Sequence, residues 1–172
     1  MTDACLAIAK DFVRAGIERA GIPLTVNLEA YLTLTFARFI GRQIGVDMLT
    51  VRIARAMDAN APRDIMRALA DECLLACALF ERRLTRNGPV RHYIGLGQAT
   101  YSAAAMTEQA YGFVHMRDVI ASAAEGSETA GSDDRRLLDR ARSGSTAARK
   151  ELEARNVVLG PWAEPKDGLL WR

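Results

Sequence analysis

Apolar residues recur every three or four positions from the start of the chain, the spacing of a helix that buries one face. In the first such segment the apolar positions are Leu6, Ala9, Phe12 or Val13, Ile17 and Ala20. The pattern stops at "GIP" (residues 21–23), a glycine followed by a proline, which is a common end of a helix. The first predicted element is therefore an amphipathic helix that ends at Ala20.

The same spacing predicts four further helices before residue 124. The second begins after Asn27, a residue type that caps helix N-termini. The third covers about residues 46–57, and the fourth covers about residues 62–86, with Pro62 in its first turn. Its middle, "CLLACALF", is apolar nearly all round, which predicts a helix surrounded by others. A fifth, long helix is predicted over about residues 90–124.

The polar stretch "AEGSETAGS" then interrupts the apolar pattern. It divides the chain into a helical bundle over residues 1–124, a linker over 125–132 and a C-terminal segment over 133–172. That segment is predicted to form a helical hairpin and an irregular aromatic tail, packed on the bundle. The predicted fold class is all-α, a bundle of about five helices followed by this hairpin and tail.

Composition supports helices and a soluble class of protein. Apolar residues make up 49% of the 172 positions, and alanine and leucine dominate them. No apolar run approaches the roughly 18 residues of a membrane span, and the N-terminus lacks the order of a signal peptide. The three cysteines do not resemble a disulfide framework. We expect a cytoplasmic location from these features.

The charges are nearly balanced, with 23 basic against 21 acidic residues. A nucleic-acid-binding domain usually has a clear basic excess, and no helix-turn-helix spacing is present. The balance argues against sequence-specific nucleic-acid binding.

Three segments of the chain, "ADECLLACALFERR", "RHYIGLGQATYSAAA" and "LLDRARSGSTAARKELEARNVV", occur in that order. Together they resemble a family of uncharacterised bacterial all-helical proteins, over about residues 71–158. The family pattern is an Asp-(Glu/Arg)-Cys-Leu opening, a Tyr-(Ile/Phe)-x-x-Gly-x-x-x-Tyr segment and an x-Gly-Ser-x-x-Ala-x-x-x-Leu stretch. The chain departs from it at Glu81, where the family tends to have proline, and in "LLDRARSGS", which lacks the family's aromatic residues. The resemblance implies a helical bacterial protein and supplies no activity.

The common catalytic motifs are missing: the sequence contains no phosphate-binding glycine loop, nucleophile elbow, Cys-x-x-Cys or His-Glu-x-x-His. Cys73 and Cys77 share one helix face and could bind a metal with His115 or Glu108. Small cysteines are more often packed in a core, which is the interpretation we adopt here. No catalytic residue, cofactor or metal site is predicted.

The predicted fifth helix contains the candidate ligand site. On one continuous helix, Tyr101, Glu108, Tyr111 and His115 would lie along one face and could line a polar pocket. The alternative is that this face lies partly at the surface, with the tyrosine hydroxyls in water. Gly95 and Gly97, in a run of small residues, predict close helix packing rather than a ligand, although each costs about 1 kcal/mol relative to alanine.

Candidate partner-binding residues fall in two places. The densest basic cluster surrounds the "NGPV" turn and consists of Arg82, Arg83, Arg86 and Arg91, followed by His92. It could bind a phosphate or an acidic partner, or simply complement the dipole of a helix C-terminus. Trp162 and Trp171 lie in the proline-broken tail and would either cover the bundle of their own chain or dock on a partner or a second copy.

Two functions remain open at this point. The leading hypothesis is a non-catalytic protein–protein interaction or adaptor protein that binds a protein partner or a second copy of itself. The alternative is a bundle that binds a small ligand or cofactor, an enzyme included, with a polar pocket along the helix over residues 93–115.

Overall fold

The computed structural model describes residues 3–125, 141 and 144–154, and every regular element in these residues is a helix. In chain order they are α1 (Asp3–Ala20), α2 (Val26–Phe39), α3 (Leu49–Asp58), α4 (Arg63–Leu79), α5 (Glu81–Leu84), α6 (Val90–Ala103), α7 (Thr107–Glu125) and α8 (Thr146–Ala154). The prediction of an all-α helical bundle is confirmed. The predicted linker beyond residue 125, much of the C-terminal hairpin, and Trp162 and Trp171 lie outside the described residues.

The N-cap of helix α2 lies two residues earlier than the predicted cap. Thr25 has an extended backbone, and its Oγ1 accepts a hydrogen bond of 3.2 Å from the backbone N–H of Leu28. Because Thr25 already satisfies this N–H, the first turn starts at Val26. The prediction of Asn27 as the cap was wrong, and Asn27 lies inside the first turn.

The predicted fourth helix is interrupted at Phe80. Its backbone leaves the helical region there (φ −124°, ψ 30°), so α4 ends at Leu79 and a single turn, α5, follows. The interruption directs both Glu81 and Leu84 into the interior. Residue 81 is the first residue of α5, a position that tolerates proline.

The predicted fifth helix is two helices. Ala105 adopts a left-handed conformation (φ 59°), and the backbone N–H groups of Ala105 and Met106 donate to the carbonyls of Ser102 and Tyr101, both at 2.9 Å. This is a Schellman motif, which usually has glycine at the left-handed position. Alanine occupies it here, so no glycine or proline marks the break in the sequence. The prediction of one continuous helix over residues 90–124 was wrong.

Helix α4 lies at the centre of the bundle and packs mainly against α6 and α7, with α3 beside it. Residues 73–77 of α4 are completely buried, as the apolar stretch "CLLACALF" predicted. Helix α1 packs against α7 and α2. Within the described part of the chain, none of the helices is both long enough and apolar enough to cross a membrane.

Glycines mark two close contacts between these helices. A Cβ on Gly16 of α1 would lie 2.2 Å from the carbonyl oxygen of Val119 in α7. A Cβ on Gly97 would lie 2.3 Å from the ring of Phe113, so the predicted close packing is confirmed there, with an aromatic ring as the neighbour. Gly95 faces open space, and for that residue the close-packing prediction was wrong.

Candidate functional site

The break between α6 and α7 divides the four predicted ligand-binding residues. Tyr101, in the last turns of α6, is completely buried. Tyr111 in α7 is 83% exposed, and His115 one turn later is also exposed. Glu108 is hydrogen-bonded to the N-cap of α2: the Thr25 hydroxyl donates to Oε1 of Glu108 at 2.6 Å. The four side chains therefore do not lie along one face, and only Tyr101 reaches the interior.

Tyr101 donates a hydrogen bond to the buried carboxylate of Asp71, which was not among the residues predicted from the sequence. Asp71 of α4 is 2% exposed, and its Oδ1 accepts hydrogen bonds from the hydroxyls of Tyr31 at 2.5 Å and Tyr101 at 2.7 Å. Its Oδ2 lies 4.0 Å from Nη1 of Arg38. We call Asp71, Tyr31, Tyr101 and Arg38 the Asp71 cluster. It joins α2, α4 and α6 through polar side chains in the middle of the bundle.

Burial shifts the ionisation of this cluster. It raises the pKa of Asp71 above the 3.8 of an ordinary aspartate, while the two tyrosine hydroxyls and the charges of Arg67 and Arg38 oppose the rise. Burial and the nearby charge of Asp71 raise the pKa of both Tyr31 and Tyr101. Both phenols therefore stay protonated at neutral pH and remain hydrogen-bond donors to Asp71.

Two features of the sequence are consistent with this cluster. Asp71 is an acidic residue on the buried face of α4, close to the apolar stretch that fills its middle. Tyr31, Thr35 and Arg38 are spaced four and three residues apart on α2, so they share one helix face. A charge at an apolar helical position is the feature that would have pointed to Asp71.

The predicted alternative for the cysteines was a metal site, and the structure places both in the core. Cys73 and Cys77 are completely buried, and Cys73 Sγ donates to the carbonyl of Tyr93 at 3.2 Å. Hydrogen bonding to Cys73 and burial raise the pKa of the Cys77 thiol, so it stays protonated. Among the described residues, no three His, Cys, Asp or Glu side chains are grouped so that they could hold a metal ion.

Near these thiols, α7 contains a buried charged pair. Arg117 and Asp118 are both completely buried, and Nε and Nη2 of Arg117 donate to Oδ1 of Asp118 at 3.0 and 2.5 Å. The positive charge of Arg117 acts to lower the pKa of Cys77, against the larger effects that raise it. Since the pair is buried, its charges are part of the core and are not presented to a partner.

The predicted basic cluster lies at the surface. We call residues 80–92 the arginine turn; Arg82, Arg83, Arg86 and Arg91 are all exposed there. Its backbone is held in place because Leu84 and Val90 are buried in the core. Arg83 forms an ion pair with Asp47, and Nε2 of His92 lies 3.2 Å from Oγ1 of Thr50 in α3.

Apolar side chains border the arginine turn. Met48 and Val51 are exposed beside the two residues that contact the turn, Asp47 and Thr50, and Phe80 is exposed at the start of the turn itself. Within the described part of the chain, Arg82, Arg86 and Arg91 form no ion pair. The residues of the arginine turn and the chain neighbours of its contacts thus include both exposed guanidinium groups and exposed apolar side chains.

Arg91 occupies the first turn of α6, where the N-cap residue Pro89 provides no side-chain hydrogen bond. A positive charge at a helix N-terminus opposes the helix dipole. The dipole therefore explains basic residues at the end of α5, such as Arg82, and does not explain Arg91.

Comparison with known proteins finds no family model, curated protein or solved structure that matches the chain. The resemblance to a family of bacterial helical proteins stays a prediction.

Proposed function

We propose that the protein is a non-catalytic interaction protein and that it binds an acidic surface of a protein partner through the arginine turn. The observation that supports this most is the group of three exposed arginines, Arg82, Arg86 and Arg91, without an acidic partner in the described residues. Of the four arginines in the arginine turn, Arg83 alone has an acidic partner among the described residues. Arg91 also lies in the first turn of α6, where its charge opposes the helix dipole.

The chemistry of this surface favours a protein partner. Arginine and methionine are enriched in protein–protein interfaces, as are aromatic residues, and the arginine turn presents them with Met48 and Phe80. Each guanidinium can bind a carboxylate through two parallel hydrogen bonds. The N-terminus of α6 adds a partial positive charge beside Arg91, which favours an anionic group at the same place.

A second copy of the chain is the other partner that the sequence left open. A two-fold symmetric dimer through the arginine turn would place the same surface on both copies. The arginines would then face one another, and like charges oppose such an association. The arginine turn is therefore better suited to a different, acidic protein. Self-association through other surfaces and a cytoplasmic location stay predictions.

The test compares two variants that lose the same charge. The turn variant is Arg82→Gln, Arg86→Gln and Arg91→Gln, and the control is Arg14→Gln, Arg55→Gln and Arg63→Gln, three arginines that are exposed elsewhere. Each protein is cross-linked in its own host cell, and the captured proteins are quantified by mass spectrometry. We expect one acidic partner with the original protein and with the control, and its loss with the turn variant. Binding of that purified partner should weaken as salt is added.

Equal capture by all three proteins would contradict the proposal, because total charge and fold would then suffice. Equal loss in both variants would also contradict it, since the effect would follow net charge and not the arginine turn.

A further inference from the structure

Apolar side chains are exposed where α2 and α7 meet. Val26 in the first turn of α2 is 84% exposed and Tyr111 in α7 is 83% exposed, the two largest exposed fractions among the large apolar side chains of the described residues. Ala30 and Leu34 follow Val26 by four and eight residues, so they share a face of α2 with it, and both are exposed. Apolar side chains grouped at a surface mark a place where another segment or molecule packs.

Contacts between the two helices bring these side chains to one junction. Thr25 Oγ1, at the N-cap of α2, donates to Oε1 of Glu108 in α7 at 2.6 Å. A Cβ on Gly112 would lie 2.6 Å from Cδ1 of Leu28. The chain neighbours of the two most exposed residues are therefore in direct contact. We call the exposed apolar residues at this junction the α2–α7 surface: Val26, Ala30, Leu34 and Tyr111.

The C-terminal part of the described chain contacts α7 one turn from this surface. A Cβ on Gly144 would lie 3.8 Å from Cγ1 of Val114, which follows Tyr111 by one turn, and Ala147 packs against the main core. Helix α8 begins here and ends at Ala154. We call residues 155–172, which lie outside the described residues, the tail. An extended chain of this length spans up to about 60 Å, so the tail can reach the α2–α7 surface.

The tail contains both tryptophans of the chain, Trp162 and Trp171. Tryptophan is a large, mostly apolar side chain that is usually buried in folded proteins. Met48 and Val51 are also exposed, but they lie beside the contacts of the arginine turn, whereas the described C-terminal residues lie against α7. The α2–α7 surface is therefore the apolar surface that these residues border.

We infer that the tail binds the α2–α7 surface of its own chain through its two tryptophans. The indole rings pack against Val26, Leu34 and Tyr111, and both sides of the contact are thereby removed from water. A segment of the same chain has a high effective concentration at this surface, and its binding does not cost the translational freedom of a second molecule. This inference is independent of the arginine turn and does not require a partner protein.

The test follows the tryptophan fluorescence of the full chain, which reports on the tail alone because both tryptophans are in it. We expect emission at a shorter wavelength than that of the chain unfolded in urea, and we expect it to be the same at all protein concentrations. Emission at the wavelength of the unfolded chain would overturn the inference. Emission that shifts with concentration would also overturn it, because a second copy would then bind the tail.

Two full-length variants locate the binding. The surface variant is Val26→Gln, Leu34→Gln and Tyr111→Gln, and the matched control is Met48→Gln, Val51→Gln and Ile65→Gln, three apolar residues that are exposed elsewhere. We expect the emission of the surface variant to shift to that of the unfolded chain and its quenching by acrylamide to increase, while the control behaves as the original protein does. Circular dichroism checks that both variants keep their helices. Equal emission from the two variants, or a shift in the control alone, would overturn the inference.

A reciprocal measurement reads the surface instead of the tail, and it applies even if the surface variant loses its helices. In the full chain with Trp162→Gln and Trp171→Gln, hydroxyl-radical labelling of Tyr111 should be higher than in the original protein. Labelling of Met48 should be the same in both proteins. Unchanged labelling of Tyr111 would overturn the inference, because the tryptophans would then not cover it.

Discussion

Asp71 and the arginine turn are both strongly charged regions of one bundle, but their charges have different surroundings. Asp71 is 2% exposed, and its hydrogen-bond donors come from two other helices. The arginines at positions 82, 86 and 91 lie in solvent with no acidic partner in the described residues. Around Asp71 the chain supplies the donors itself, whereas the described residues supply no acidic partner to three of the four arginines of the arginine turn.

The difference follows from the cost of burying charge. A carboxylate inside a protein loses its hydration, so it persists only where hydrogen bonds and opposite charges replace the water. A surface arginine stays hydrated and needs no partner to be tolerated. A substitution in the Asp71 cluster should therefore affect the stability of the fold. A substitution in the arginine turn should affect binding.

The largest expected effect is that of Asp71→Leu. The two tyrosine hydroxyls would lose their acceptor inside the protein, and each loss costs about 1–3 kcal/mol. We expect the free energy of unfolding to fall by about 3 kcal/mol or more, measured by urea denaturation. The control is Asp71→Asn, whose amide oxygen still accepts both hydroxyls; it should cost less than about 1 kcal/mol. Equal losses in the two variants would mean that the hydrogen bonds are not what Asp71 contributes.

Removal of a single donor should have a smaller effect. Tyr101→Phe should lower the free energy of unfolding by about 1–2 kcal/mol, and Tyr31→Phe should lower it by less because Tyr31 is only half-buried. Tyr111→Phe serves as the control and should leave the stability unchanged, since Tyr111 is exposed. The same urea experiment measures all three, and a larger loss for Tyr31→Phe than for Tyr101→Phe would contradict this ranking.

Asp71 should also make the stability depend on pH in an unusual direction. Burial raises its pKa in the fold above the 3.8 of an ordinary aspartate, so the folded state binds this proton more tightly than the unfolded state does. The contribution of Asp71 to the free energy of unfolding is therefore most favourable below the 3.8 of an ordinary aspartate. It is lost as the pH rises through the raised pKa of the folded state. The free energy of unfolding of the original protein, minus that of Asp71→Asn, should fall as the pH rises above about 4. A difference that rises with pH would show that hydrogen bonds and arginines lower this pKa instead.

Thr35→Val should have the smallest effect among the buried positions. Its hydroxyl makes no hydrogen bond of 3.5 Å or less within the described residues, although it lies near enough to the Tyr31 hydroxyl to act on the pKa of that phenol, and valine has the same shape. We expect a free energy of unfolding that is unchanged or higher by up to about 1 kcal/mol. Thermal denaturation checks this, with Thr33→Val of the same helix as a comparison. A loss above about 1 kcal/mol would mean that the hydroxyl has a structural partner.

Much of the fold could be predicted from local patterns. The periodicity of apolar residues gave the helical class and the approximate position of α1 to α4, because amphipathic helices leave this trace directly in the sequence. The break after α6 was missed for a physical reason. The Schellman motif there has Ala105 in the left-handed conformation, and the glycine that would mark it is absent.

The two candidate sites also differ in how far the sequence alone predicts them. The exposed arginine turn was predicted from the sequence, because its residues are neighbours in the chain. The Asp71 cluster joins residues that are 30 and 40 positions apart, which only the tertiary structure brings together. Tyr101 was selected for an incorrect reason, a continuous helix, and its actual partners lie on α2 and α4.

The most direct test of this comparison measures the free energy of unfolding of the turn variant (Arg82→Gln, Arg86→Gln and Arg91→Gln) beside that of Asp71→Leu in urea. We predict that the turn variant stays within about 0.5 kcal/mol of the original protein, as surface substitutions do, while Asp71→Leu loses about 3 kcal/mol or more. A turn variant as unstable as Asp71→Leu would contradict the account, because the arginines would then serve the fold and would not be available for a partner.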